Sequence, residues 1–179
     1  MDAAVIVAIF ADPPHGVVFV ERSAHLRRNA GQIGLPGGVA DPADDANAVT
    51  TALRELQEEL GISPQRVRIV GQLPEQHQVS SHLSVTPIVG VLQPQTPLTI
   101  DQVETTGAFT IPLEAIVTEG AIREDRRTTI AHGRTAYVLN YHGHRIWGLT
   151  ARILKSFADA WNAPNSDLPR EVEAAFKVP

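Results

Sequence analysis

The sequence predicts an α+β fold, or a layered α/β sandwich, on three observations. Strand-like runs precede, separate and follow two amphipathic helical patterns, near 47–60 and 151–161. The length, 179 residues, fits one domain with a sizeable core. The composition, 43% hydrophobic and 20% charged, is that of an ordinary globular protein.

Residues 3–10 and 17–21 read as two strands joined by the turn Asp12-Pro13-Pro14-His15-Gly16. The first run has Asp2 before it, lacks a basic flank and is cut short by Pro13-Pro14. It is therefore expected to be a buried strand, not a signal peptide. Residues 22–47 form a connection rich in Gly, Pro, Asp and Arg, and a connection that long in a compact domain usually serves function. A helix over roughly 47–60 follows, with Asp44, Asp45 or Asn47 as candidate caps and Gly61 closing it. Val49, Leu53, Leu56 and Leu60 share its packed side.

Strands are expected near 67–73 and 83–92, with Pro87 placing an edge or a bulge in the second. Phe109–Val117 reads as a strand end passing into a short helix. Segments between 126 and 147 are β-rich and broken by Gly133 and Gly143. Ala151–Trp161 makes a second helix, packed through Ile153, Leu154, Phe157 and Trp161. From Asn162 the chain is polar and Pro-containing. The domain is thus drawn at 1–161, and 162–179 is expected to be a tail ordered in part at best.

The net charge of −5 argues against a partner that is nucleic acid or an anionic membrane, yet it allows a polyanionic small substrate on a local basic patch. The absence of cysteine excludes disulfides, thiolate catalysis and Cys-ligated zinc. It also fits a reducing compartment. No apolar run reaches membrane-spanning length, so a cytoplasmic protein is expected, as a monomer or a homodimer.

The densest chemistry lies in Arg54-Glu55-Leu56-Gln57-Glu58-Glu59-Leu60-Gly61-Ile62. Helical spacing gathers Glu55, Glu58 and Glu59 on one flank, opposite the apolar stripe. By itself the triplet reads either as a solvated face or as oxygen ligands for a hard cation such as Mg²⁺. Upstream lie Arg22, Arg27 and Arg28, then a Gly-rich bend ending in Pro36-Gly37-Gly38. Arginines fork onto phosphate oxygens, and glycines let backbone approach a ligand closely. Singly these are a solvated loop and a turn. In this order, before an acidic helix, they point to metal-assisted attack on a phosphate ester or anhydride.

The segment resembles the Nudix hydrolases, whose motif is G-x5-E-x7-R-E-U-x-E-E-x-G-U, with U a bulky aliphatic residue. Arg54–Ile62 matches its second half completely. The first half departs: Gly38 precedes Arg54 by sixteen positions where the pattern asks for fourteen, and Ala46 stands where the isolated glutamate would fall. Asp41, Asp44 and Asp45 supply the acidic content of the longer loop. The resemblance implies a mixed sheet sandwiched between helices, and Mg²⁺- or Mn²⁺-dependent hydrolysis of a nucleoside diphosphate derivative. Glu55, Glu58 and Glu59 would be metal ligands, Glu55 also aligning or deprotonating water. Gly38 would add a backbone carbonyl, and Arg54 would hold the carboxylates in orientation.

A narrower resemblance, to the coenzyme A pyrophosphatase branch, rests on Arg22, Ser23, Leu26, Arg27, Gly31, Gln32, Pro36, Gly37 and Gly38 in register. Val85–Gly90 and Trp147–Arg152 are also similar to that branch. The match fails at Asn29, where histidine is usual, and at Leu35, where phenylalanine is usual. Glu104 corresponds to a glutamate expected near the metals. This branch implies coenzyme A or its thioesters as substrate, with Arg22, Ser23, Arg27, Gly31, Gln32, Pro36 and Gly37 in the substrate site. Another Nudix substrate (NADH, ADP-ribose or an oxidised nucleotide) and a binding module without turnover remain as alternatives. His142-x-His144 is expected to be a hairpin turn, Trp147 a core residue, and Arg123, Arg126 and Arg127 a solvated cluster.

Overall fold

The computed structural model describes residues 2–23, 31–77, 83–100, 105–125 and 135–177. Strands β1 (Ala3–Phe10) and β2 (Gly16–Arg22) lead into two short strands, β3 (Ile33–Gly34) and β4 (Gly37–Val39). Helix α1 spans Ala48–Leu60; β5 (Val67–Gln72), β6 (Gln76–His77) and β7 (Ser84–Leu92) follow. Then come β8 (Thr105–Pro112), α2 (Leu113–Val117), β9 (Arg123–Glu124), β10 (Tyr137–Tyr141) and β11 (His144–Trp147). Helices α3 (Gly148–Asn162) and α4 (Leu168–Phe176) close the described chain.

The main sheet is mixed. Strand β1 runs parallel to β7 over its whole length, while every other pairing is antiparallel. The far edge of β1 is shared: Ile9 pairs with Val17 of β2, and Ala3, Ala4 and Val5 pair with β4. Both faces of β1 are covered, so it is apolar throughout instead of alternating. Ala4, Ile6 and Ala8 pack with Leu56 and Leu60 under α1. Val7 and Ile9 join Phe157, Leu154 and Val172 on the other face, beneath α3 and α4. The result is the expected helix–sheet–helix sandwich, with β9–β11 forming a small second sheet on the α3 side.

Helix α1 starts where Asn47 Oδ1 accepts the amides of Val49 and Thr50 at 2.9 and 3.1 Å, while Thr50 Oγ1 accepts the Asn47 amide. This reciprocal cap satisfies orphan donors of the first turn and is worth about 1 kcal/mol. Of the three candidate caps, Asn47 takes the role.

Three expectations need correction. Pro87 does not mark an edge strand, because β7 lies between β1 and β5. Its carbonyl accepts the Leu73 amide where β5 gives way to β6, so the missing N–H faces that break, and the bulge falls in β5 between Ile69 and Gly71. Trp147 is 39% exposed and not in the core. The alternation of β11 turns Ile146 inward, and Trp147 outward beneath the Arg145 guanidinium, 5.6 Å from the ring centre. The segment expected to be a tail contains α4, whose Val172 and Ala175 are buried. His142-Gly143 does form the β10–β11 turn.

Candidate active site

Helix α1 lays its acidic flank against β4 and the end of β2, and the three glutamates differ sharply in exposure. Glu59 is 6% exposed, the Glu55 side chain 16% and the Glu58 side chain 58%, so the triplet climbs from the interior to solvent. At the inner end Glu59 accepts the Gly37 amide at 3.1 Å and faces Arg22 Nη1 at 3.9 Å. At the outer end Arg54 contacts Glu58 at 2.8 Å and Glu55 at 2.9 Å, and donates to the Val39 carbonyl at 3.0 Å.

Two glycines make this approach possible. Gly37 has φ 146°, and a Cβ there would run into the Ala4 carbonyl oxygen and the Val5 backbone. A Cβ on Gly38 would occupy the space of the Glu55 carboxylate. The bend therefore serves close contact, both with β1 and with the helix.

Asp45 anchors the other side of Arg54. Its Oδ2 accepts Arg54 Nη2 at 3.0 Å, its Oδ1 accepts Nε at 3.2 Å, and its side chain is 1% exposed. The Arg54 hydrogen bond holds the Asp45 carboxyl below the usual carboxylate range, and Asp45 in turn raises the guanidinium pKa. The longer loop thus places an aspartate one residue before Ala46 as the counter-charge of the motif arginine.

Arg22, Gly37, Gly38, Val39, Arg54 and the three glutamates line an open cleft of about 760 Å³, joined by Ala40, Asp41, Pro42 and Thr105. Of the residues singled out in the sequence, Arg22, Gly37, Gly38, Arg54, Glu55, Glu58 and Glu59 meet here. Four do not line it. Gly31 and Gln32 pair through their backbones with Arg22 and hold the end of β2. The Pro36 carbonyl accepts the Ile6 amide, and Ser23 is buried. Arg27 and Glu104 lie outside the described residues, as do Arg28 and Asn29. Leu35 is buried in the core on the α3 side, so the departure at that position changes packing and not the cleft. Sequence reasoning missed Asp45 as the partner of Arg54, although its neighbour Ala46 signalled a displaced acid. It also missed Thr105, which nothing in the sequence marks and only the β2–β8 register brings in.

Three carboxylates with flanking backbone carbonyls make a hard-oxygen donor set, suited to Mg²⁺ or Mn²⁺. Gly38 leaves room for an approach to Glu55 that a side chain would fill. The donors fit such an ion chemically. Among the described residues no three acidic or histidine side chains converge as they stand. Glu55 and Glu58 are turned onto Arg54, and Glu59 onto the Gly37 amide.

The fold and the cleft define a hydrolase of the Nudix class. Residues 1–132 match the NUDIX domain model. The chain is 34% identical over 156 residues to an uncharacterized Nudix hydrolase, NudL, of Salmonella paratyphi B, covering 87% of this chain and 80% of the relative. It therefore belongs to the Nudix family, whose members act on pyrophosphate bonds and generally use divalent metal ions. Solved structures agree on the fold. A MutT/nudix family protein from Enterococcus faecalis superposes with TM-score 0.57 at 13% identity, covering 95% of this chain and 66% of that one. The C. elegans Ap4A hydrolase binary complex gives 0.53 at 19% identity, covering 63% and 80%. No described helix is long and apolar enough to cross a membrane.

Proposed function

We propose that the protein hydrolyses the pyrophosphate bond of coenzyme A or its acyl thioesters, giving 3′,5′-ADP and 4′-phosphopantetheine or its acyl derivative. The observation that carries this reading is Arg22 facing buried Glu59 at 3.9 Å in a cleft that Glu55 and Glu58 of the same helix flank also line. A cationic group for phosphate thus stands beside carboxylates suited to a metal, as a polyanionic diphosphate requires. The upstream match to the coenzyme A pyrophosphatase branch supports the choice of substrate. The burial of Leu35 removes one of its two departures from the substrate's surroundings.

In this reading Glu55, Glu58 and Glu59 hold Mg²⁺ or Mn²⁺, with Glu104 and the Gly38 carbonyl as further ligands. A bound ion would neutralise phosphoryl oxygens and acidify water. Glu55 aligns or deprotonates the attacking water, and Arg54 keeps Glu55 and Glu58 oriented. Arg22 and Arg27 neutralise substrate phosphates; Ser23, Gly31, Gln32, Pro36 and Gly37 shape the backbone around them. One P–O bond forms from water, the bridging P–O bond breaks, and both water protons pass to the product phosphates or solvent. The protein acts on this small molecule in the cytoplasm, as a monomer or a homodimer.

The test is turnover with Mg²⁺ or Mn²⁺ of coenzyme A, acetyl-CoA, NADH, ADP-ribose and nucleoside triphosphates, with products separated by chromatography. We expect 3′,5′-ADP from coenzyme A, abolished by EDTA. Turnover of ADP-ribose or NADH with coenzyme A untouched would replace the substrate. Inactivity on the whole panel would sink the enzymatic reading.

A further inference from the structure

Two polar atoms at the back of the cleft have no hydrogen-bond partner among the described residues: Arg22 Nε and Thr105 Oγ1. Both are closed off from solvent, and Thr105 as a whole is 0% exposed. A buried donor left without a partner destabilises a fold, so two at one place call for an explanation. Their residues are directly opposite each other across β2 and β8. Opposed residues of an antiparallel pair point to the same face, with Cβ atoms about 5 Å apart. The register shifts at this point, with Glu21 opposite Gly107 and Arg22 opposite Thr105, so Thr106 is the extra residue of a bulge. Bulges of this kind re-aim side chains beside functional sites. Without the shift Arg22 would face Thr106, which instead donates its hydroxyl to the Glu21 carbonyl.

We propose that Thr105 is a substrate-binding residue whose hydroxyl, together with Arg22 Nε–H, donates to one phosphoryl oxygen of a pyrophosphate group in the cleft. This rests on the pyrophosphate reading of the same cleft and adds a residue to it. Arg22 approaches Glu59 only to 3.9 Å, longer than a hydrogen bond, so that contact does not lock its guanidinium against turning toward an incoming phosphate beside Thr105. The arriving oxygen satisfies both donors. Its negative charge makes the bonds charge-assisted, and the buried setting strengthens them.

The test is calorimetric titration of the intact protein with inorganic pyrophosphate in MgCl₂ buffer, beside thermal melts without ligand. Thr105→Val keeps the shape and removes the hydroxyl, and Thr105→Ser restores it. Thr105→Val should bind pyrophosphate about tenfold more weakly, the loss of one hydrogen bond to a charged group. Its ligand-free Tm should equal or exceed that of the wild type, because an unpartnered hydroxyl is gone. Thr105→Ser should bind within about twofold of wild type, since the donor is retained. Wild-type affinity in Thr105→Val would overturn the proposal, and so would a wild-type protein that does not bind pyrophosphate. Coenzyme A turnover is scored separately. If coenzyme A is cleaved while Thr105→Val binds normally, only this subsite fails. If the hydroxyl matters for pyrophosphate but coenzyme A is not cleaved, only the substrate assignment fails.

Discussion

Asp45 grips Arg54 through both carboxylate oxygens, at 3.0 and 3.2 Å, and the same guanidinium reaches Glu55 and Glu58 at 2.9 and 2.8 Å. Arg54 is therefore the hub of the acidic face, and Asp45 fixes where the hub sits. Asp45→Asn should keep the shape, weaken the grip and cost about 2 kcal/mol at neutral pH. The pH dependence has a definite sign. The folded pKa of Asp45 lies below its ordinary value of 3.8, so the folded state binds fewer protons than the unfolded state as pH falls through that range. The stabilisation is complete above the ordinary value and disappears as pH drops through the lowered one. Urea melts of wild type and Asp45→Asn should thus differ most at pH 7, and the gap should narrow steadily as pH falls below the ordinary value of 3.8. A gap that stays constant down to pH 2 would count against the ion pair.

Gly37 and Gly38 separate stability from activity. A Cβ on Gly37 meets fixed backbone of β1, and φ 146° is unfavourable for any L side chain. Gly37→Ala should destabilise by about 3 kcal/mol. A Cβ on Gly38 meets only the end of the Glu55 side chain, which can swing away. Gly38→Ala should therefore melt near wild type while displacing Glu55 and losing most activity. Equal melting temperatures for the two variants would show that the bend is looser than these contacts require.

The glutamates allow a graded test. Glu58 is the exposed member, so Glu58→Gln should leave the fold intact while lowering turnover on the order of 10²–10³-fold, the scale for losing one group that stabilises transition-state charge. Glu59→Gln should cost activity and also stability, because it removes buried charge facing Arg22. Near-wild-type turnover in Glu58→Gln would overturn its metal role. Circular dichroism of both variants separates folding from chemistry.

Local signals made the first helix and its acidic flank legible in the sequence. Asn47, Gly61 and the apolar stripe fix its ends and packed side, and the glutamate spacing follows from 3.6 residues per turn. Its burial gradient was not legible, because Glu59 turns inward only when β4 and β2 close over it. Asp45 as the partner of Arg54 depends on a loop conformation that spacing alone does not determine. Pro87 misled because proline normally marks an edge. Here the chain leaves a break between β5 and β6 on the side where its donor is missing. Trp147 misled because its helix packs, whereas the residue itself belongs to the outward phase of β11.

Helix α4 is the element whose importance the sequence hid most, and it can be removed. Leu168, Val172, Ala175 and Phe176 form its packed side, against β5, β7 and α3. Phe176 also stacks on His15 in the β1–β2 turn, with ring centres 4.0 Å apart. Short polar flanks and Pro169 disguise a nine-residue helix with an apolar stripe. Deleting residues 164–179 should uncover part of the α3-side core and cost about 3 kcal/mol, lowering Tm by roughly 6–12 °C for a chain of this size. The acidic cleft lies across the sheet under α1, so pyrophosphate binding at 15 °C should survive the deletion. A truncated protein melting with the wild type would mean that α4 contributes nothing to stability. Lost binding with the fold retained would mean that it reaches the cleft by a route these contacts do not contain.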